Sequence, residues 1–385
     1  MSGDAMQRTF KLETKAGDIN TAIRDFLKAA LTSDRVDAVL APQHLPHKNR
    51  VMATLTADPS KLEGVDPLAP AFTMNAAKIV SRLTRKPMGA KIAAVLRPCE
   101  IRAFYELVKL KQGRLEDLLI VSVDCPGAFT NHDYAAFAER HGAETGARFM
   151  RHILAGKTEP LDGIDLATAC RACETPVAAN ADIQIGLYGA ATDDALPVIA
   201  QSPGGESLLS ALGLAEAEEP AGRRESLERL VRDRKAFRDD MFATTREQTD
   251  SLEKLGAYFA DCINCYNCRV ACPVCYCREC VFVTDVFLHE PSQYLKWADR
   301  KGIIKLPTDT LFFHLTRLAH MSTSCVGCGQ CSNACPNDIP LAELFRTISH
   351  DTQRAFDYQA GRRIDEAPPL SVFSEKEFDE VVGIE

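Results

Sequence analysis

No run in this chain approaches the roughly 20 consecutive apolar residues that a membrane helix needs, so no membrane insertion is expected. The opening stretch, MSGDAMQRTFKLETKAGD, lacks the basic-then-apolar layout of a secretory signal, which makes a cytoplasmic protein the expectation. Basic excess is missing as well. A formal net charge of -8 speaks against a nucleic-acid partner or an anionic membrane surface, either of which favours a basic face. There is no Rossmann glycine fingerprint, no P-loop and no Ser/His/Asp arrangement, so nicotinamide binding through a dinucleotide fold is not indicated.

What the sequence has in abundance is cysteine. Fifteen of them in a reducing cytosol point to metal or redox chemistry rather than to disulfides. The remainder is ordinary for a globular protein, with 46% hydrophobic and 25% charged residues, and 385 residues allow two or three domains.

Along the chain, INTAIRDFLKAALTS (19–33) reads as an amphipathic helix and VDAVLAP (36–42) as a strand. A Pro and a Thr precede a second helical pattern within 69–84. A buried-type strand at 91–97 then breaks at Arg97-Pro98-Cys99 into a helix from about Glu100. Another strand, within 115–127, ends at Asp124 and Cys125. This alternation predicts an α/β domain with a mostly parallel sheet over residues 1–200. Residues 201–260 read as a linker, small and acidic over 200–225, followed by a solvated charged helix or helix pair. Residues 261–350 form the cysteine domain, and 351–385 an acidic tail that suits docking on a partner.

Two matching runs carry the chemistry: Cys262-x2-Cys265-x2-Cys268-x3-Cys272-Pro273 and Cys325-x2-Cys328-x2-Cys331-x3-Cys335-Pro336. Each is the bacterial ferredoxin spacing, in which the fourth cysteine serves the other cluster. Three thiolates at two-residue gaps fit one face of a cubane, and proline turns the chain away. One 4Fe-4S cluster is therefore assigned to Cys262, Cys265, Cys268 and Cys335, and a second to Cys325, Cys328, Cys331 and Cys272. A zinc ribbon also uses CxxC pairs, but two four-cysteine runs with proline in register favour iron.

Seven cysteines remain. Cys275, Cys277 and Cys280 suit zinc or a further cluster, with His289, His314 or His320 as a fourth ligand; alternatively they are spare thiols. Cys99 and Cys125 close strands, where ligands gather in open parallel sheets, although buried structural cysteines occur equally at such places. With the CxxC of Cys170 and Cys173 they make a four-thiol set drawn from three chain regions.

The phrase CVGCGQCSNACPNDIPLAELF, with helices between the two runs, resembles the α-helical ferredoxin of succinate dehydrogenase and heterodisulfide reductase electron-transfer subunits. LRPCEIRAFYELVKL, LLIVSVDCPG and CRACETPVAANADIQIGLYG resemble the beta subunits of coenzyme F-420-reducing hydrogenase and formate dehydrogenase over roughly residues 20–190. That resemblance implies a 4Fe-4S cluster on Cys99, Cys125, Cys170 and Cys173 beside a bound FAD. The family holds its flavin partly at a Ser-Gly-Gly helix start. FTMNAAKIVSRLT lacks those glycines, leaving Thr73, Asn75 and Lys78 as the FAD residues at a helix N-terminus. Glu174 stands where the family often has Asp, and His132 is either a loop histidine or a neighbour of the flavin.

The expected function is an electron-transfer flavo-iron–sulfur subunit of a cytoplasmic anaerobic redox complex, not itself catalytic for formate or hydrogen. Its partner would be a catalytic dehydrogenase, hydrogenase or heterodisulfide-reductase-type subunit, and its flavin would exchange electrons with coenzyme F-420, a ferredoxin or a nicotinamide. The rivals are a flavin-free polyferredoxin-like adaptor and a zinc-binding structural protein.

Overall fold

The computed structural model describes residues 8–15, 17–46, 50–277, 279–287, 290–301 and 310–371. Eight strands build one sheet: β1 (Arg8–Glu13), β2 (Ala38–His44), β3 (Val51–Thr56), β4 (Ile92–Val95), β5 (Leu118–Val123), β6 (Ile183–Ile185), β7 (Ala195–Ala200) and β8 (Ala215–Ala217). Their spatial order is β3-β2-β4-β5-β6-β7-β1-β8. The central four, β2, β4, β5 and β6, run parallel, as the helix–strand alternation predicts. Both flanks are antiparallel, so the sheet is mixed. The antiparallel flanks are an addition to the expected parallel core, and the edge strand β8 is only three residues long.

β4 and the second half of β5 are buried on both faces, hence their unbroken apolar sequence. Alternate side chains feed two cores. Ala93, Val95, Val121 and Val123 join one with Phe26, Phe129, Phe137 and Phe149. Ile92, Ala94 and Ile120 join the other with Val80, Phe104 and, from the cysteine-rich half, Phe313, Leu344 and Phe345. The cysteine-rich half thus packs as an added layer on one face of the sheet.

Residues expected as a linker carry a helix, Pro203–Ala211, capped by the Ser202 hydroxyl, and the edge strand β8. Next comes a single helix, Arg223–Thr249. Expected as a solvated face, it buries Arg223, Arg234, Phe242 and Thr245. The cysteine-rich half is mainly helical, with Thr310–Met321 and Leu341–Ala355 its longest well-packed helices. After the latter, Tyr358 and Gly361 dock on this chain's own helix Pro98–Lys109, where buried Glu106 accepts from the Tyr358 hydroxyl at 2.6 Å and the Gly361 amide at 2.7 Å. Of the tail expected over 351–385 as a partner arm, residues 351–355 instead end the helix Leu341–Ala355 and Tyr358 and Gly361 dock on this chain, while residues 372–385 lie outside the described residues.

No helix among the described residues is long and apolar enough to cross a membrane.

Candidate metal centres and the adjoining cavity

Parallel strands β4 and β5 deliver two thiols to the same edge of the sheet. β4 ends at Val95, and Pro98 at the first turn of the following helix places Cys99 there, while Glu100 accepts from the Arg97 amide at 2.8 Å. β5 ends at Val123, and Cys125 follows with its amide bonded to the Pro176 carbonyl at 2.8 Å. That bond draws in the short helix Thr168–Arg171, so Cys99, Cys125, Cys170 and Cys173 line one small cavity with Arg97 and Arg234. Desolvation pushes Cys99 well above the ordinary thiol value and Cys170 up to about 11, with neighbouring thiols adding to both shifts. Free thiols here would stay neutral. A cationic iron–sulfur core is the kind of group that holds such a set as thiolates, and the donor set fits one.

Cys328 lines the same cavity. Gly329 makes that approach feasible: its φ is +78°, and a Cβ there would lie 2.5 Å from the Cβ of Ala169. Between the second-run cysteines, the Gln330 and Asn333 side-chain amides donate to the Phe72 carbonyl at 2.8 and 2.9 Å. Cys325, Cys328 and Cys331 sit with Cys272, whose charge acts on all three. This is the second group.

The third group is Cys262, Cys265, Cys268 and Cys335, which line one cavity beneath Phe313 and His314. Left-handed backbone at Asn264 and Tyr266 (φ 52° and 59°) curls the first run around it. Cys265 is exposed and Cys268 buried. His314 Nε2 lies 3.3 Å from the Cys262 sulfur, and the ring stacks on Phe259 at 4.0 Å. Desolvation, aided by Arg317, lowers His314 to about 3, so the ring is neutral. In both ferredoxin groups the fourth cysteine comes from the other run, as the spacing predicts.

The remaining thiols are not gathered in this way. Cys275 neighbours Cys272 and Lys78, and desolvation pushes it to about 11; Cys277 is exposed. Of the histidines considered as a fourth ligand, His314 faces Cys262, His320 is exposed, and His289 lies outside the described residues. Among the described residues no three His, Cys, Asp or Glu side chains close on a single-ion site.

The expected flavin residues are committed elsewhere. Thr73 donates to the Val51 carbonyl at 2.6 Å, and Lys78 to the Val270 carbonyl at 3.0 Å in the cysteine-rich half. Asn75 is buried beside Cys328. At the helix start behind them, the amide of Ala76 donates to Glu100 and that of Ala77 to Asn75, at 2.7 and 3.0 Å. The amides a phosphate would need are taken, and the segment serves as the seat of the second run. His132 is 94% exposed and pairs with Asp133.

On the other side of the first cysteine group opens a cavity of about 680 Å³. Phe129, Phe149, Tyr188 and Phe237 supply its apolar walls, and Lys157, Arg171, Arg229 and Arg234 line it together with Glu159, Asp165 and Asp233, Arg171 pairing with Asp165 at 3.2 Å. Arg234 lines both this cavity and the cysteine cavity, and the Tyr188 hydroxyl donates to the Cys125 carbonyl at 3.4 Å. The volume is in the range of cofactor sites, and the aromatic walls suit a planar ring such as a flavin's. None of these arginines is marked by any spacing, which is why sequence reading passed over the cavity.

An α/β sheet whose strand ends bring two thiols beside a CxxC pair, joined to a helical half with two ferredoxin-type runs, defines an iron–sulfur protein of the electron-transfer class. A family described as the C terminus of the beta subunit of coenzyme F420 hydrogenase/dehydrogenase matches residues 89–221, and a 4Fe-4S binding domain matches residues 320–340. Residues 89–221 thus resemble that beta-subunit family, and a 4Fe-4S domain match lies behind them. It is similar to the beta subunit of the F420-dependent formate dehydrogenase of Methanocaldococcus jannaschii, 29% identical over 306 residues, covering 73% of this chain and 76% of that one. It is also similar to the beta subunit of F420-dependent formate dehydrogenase 1 of Methanococcus maripaludis, 27% identical over 380 residues, covering 92% and 93%. Among solved structures it is similar to a chain of the F420-reducing [NiFe] hydrogenase complex from Methanosarcina barkeri, with TM-score 0.45 and 13% identity, covering 66% of this chain and 97% of that one.

Proposed function

We propose that this chain is the electron-transfer flavo-iron–sulfur subunit of a cytoplasmic formate dehydrogenase, hydrogenase or heterodisulfide-reductase-type complex. The observation that carries the reading is the succession of sites. The cavity of about 680 Å³ shares Arg234 with the first cysteine group, and Cys328 of the second group borders the first. Cys268 of the third group and Cys272 of the second share Arg317 as a neighbour. The F420 dependence in the names of both formate dehydrogenase relatives supports a deazaflavin as the two-electron partner.

In this reading the flavin occupies the aromatic cavity rather than the helix start at Thr73, Asn75 and Lys78. When bound, flavin and clusters supply the exchange between two-electron and one-electron chemistry. The chain supplies the rest. Cys99, Cys125, Cys170 and Cys173 would hold the first cluster; Phe129, Phe149 and Phe237 would exclude water from the flavin; Lys157 and Arg229 would offer charge to its phosphates. Exposed Cys265 puts the third group nearest to a docked partner.

Metal, sulfide and flavin analysis of oxygen-free protein tests this. The expected content is about twelve iron and about twelve sulfide per chain, three cubanes, with one flavin. Full iron without flavin would favour the adaptor reading, and zinc without iron the structural one.

A further inference from the structure

Arg317, on the helix Thr310–Met321, is only 5% exposed, yet no carboxylate pairs with it among the described residues. Its Nη1 donates to the Cys268 sulfur at 3.1 Å and its Nη2 to the Cys268 carbonyl at 3.3 Å. Nε is buried and has no hydrogen-bond partner among the described residues. Phe313 and Phe345 flank the guanidinium at 5.5 and 4.6 Å from their ring centres. The thiols whose charge acts on it come from both ferredoxin groups: Cys268 from one, Cys272 and Cys331 from the other, with Cys275 alongside.

A buried guanidinium is costly unless opposite charge compensates it. Among the described residues no carboxylate does so; the Cys268 sulfur accepts its hydrogen bond, and thiols of both groups lie within electrostatic reach. Cluster potentials respond to net charge and to hydrogen bonds at the sulfurs, and Arg317 provides both at one point. Lys78 is another cation near this junction, acting on Cys272 and Cys275, but it is spent on the Val270 carbonyl; Arg269 lies near Lys78, and Arg346 acts on Cys325 of the second group.

We infer that Arg317 is a positioning residue that sets the potentials of two clusters together, favouring the reduced form of each by one fixed charge placed between them. This rests on the reading of both groups as 4Fe-4S ligands. Arginine stays protonated throughout, so it takes up neither electron nor proton. A shared cation shifts both potentials in the same direction and leaves the difference between them largely unchanged.

The test is a redox titration followed by electron paramagnetic resonance, on full-length oxygen-free protein. In Arg317→Met the reduced-to-oxidised ratio of both ferredoxin clusters at fixed potential should fall about tenfold, about 59 mV for one electron. Arg317→Lys should restore most of the shift. The first-group cluster, recognised as the signal missing from Cys99→Ser, should keep its midpoint. Unchanged midpoints with wild-type iron content would overturn the inference and leave Arg317 as packing between two rings; equal shifts in all three clusters would overturn it too. If Arg317→Met loses iron, Arg317→Gln is read in its place. Loss of iron from both, with clusters and midpoints retained in Arg317→Lys, would support a role for the charge, and loss from all three variants would count against it. Wild-type protein without 4Fe-4S signals would sink the cluster reading itself, and the inference with it.

Discussion

Asp124 shows how much of the first cysteine group depends on a residue that holds nothing itself. It is fully buried one position before Cys125 and accepts the Leu187 amide at 2.8 Å, the Gln184 side chain at 2.8 Å and Arg223 Nη2 at 2.9 Å. A carboxylate in that position fixes the end of β5 to the loop after β6. Asp124→Asn leaves the buried Arg223 only the half-exposed Glu219 at 3.1 Å as a carboxylate partner. The cost is therefore expected somewhat below that of breaking an isolated buried pair, about 3–5 kcal/mol. The expected outcome is a lowered denaturant midpoint with early loss of the first-group cluster, read by unfolding curves beside iron retention. Sequence reading marked Asp124 only as a strand end. Its partner lies 99 positions away, and a lone arginine in a charge-rich segment gives no signal of inward direction.

The long helix Arg223–Thr249 illustrates the same lesson for a whole element. Dense alternating charge suggests a solvated face, because hydrophobic pattern is the main sequence signal of burial. Instead the helix docks through arginines. Arg223 reaches Asp124, Arg234 donates to the Pro126 carbonyl at 3.2 Å, and Arg238 donates to Glu174 at 2.8 Å. Glu174 also accepts from Arg346 at 2.7 Å, so one carboxylate ties the CxxC segment, the long helix and the helix Leu341–Ala355 together. Glu174→Gln should destabilise the junction by about 1.5–3 kcal/mol, the range for hydrogen bonds to charged groups. Denaturant unfolding of the variant against wild type checks this. A change below a few tenths of a kcal/mol would mean that the three elements are held by packing alone.

Across the molecule the sequence suggests separate α/β and ferredoxin domains, whereas the second core is shared between them. Phe313, Leu318, Leu344 and Phe345 pack in one cluster with Val80, Ile101 and Phe104. Apolar area that a small domain cannot bury alone is burial it lacks when isolated. A fragment of residues 261–371 is therefore expected to aggregate or to unfold without a cooperative transition, measured by size-exclusion chromatography and circular dichroism. A monodisperse fragment with both clusters and sigmoidal unfolding would contradict the shared core.

By itself the sequence determined the covalent pattern: where the two four-cysteine runs lie, a spacing that leads one to expect their fourth members to exchange, and a thiol just past each of β4 and β5. Those features are legible because cluster geometry imposes short spacings and buried parallel strands impose apolar runs. Only the tertiary structure decided what joins the groups: that Gly329 lets the second run meet the Cys170 helix, that FTMN seats that run, and that Arg234 and Arg317 stand beside the thiols. These are contacts between residues far apart in the chain, made by single polar side chains whose direction follows from packing and not from any local repeat.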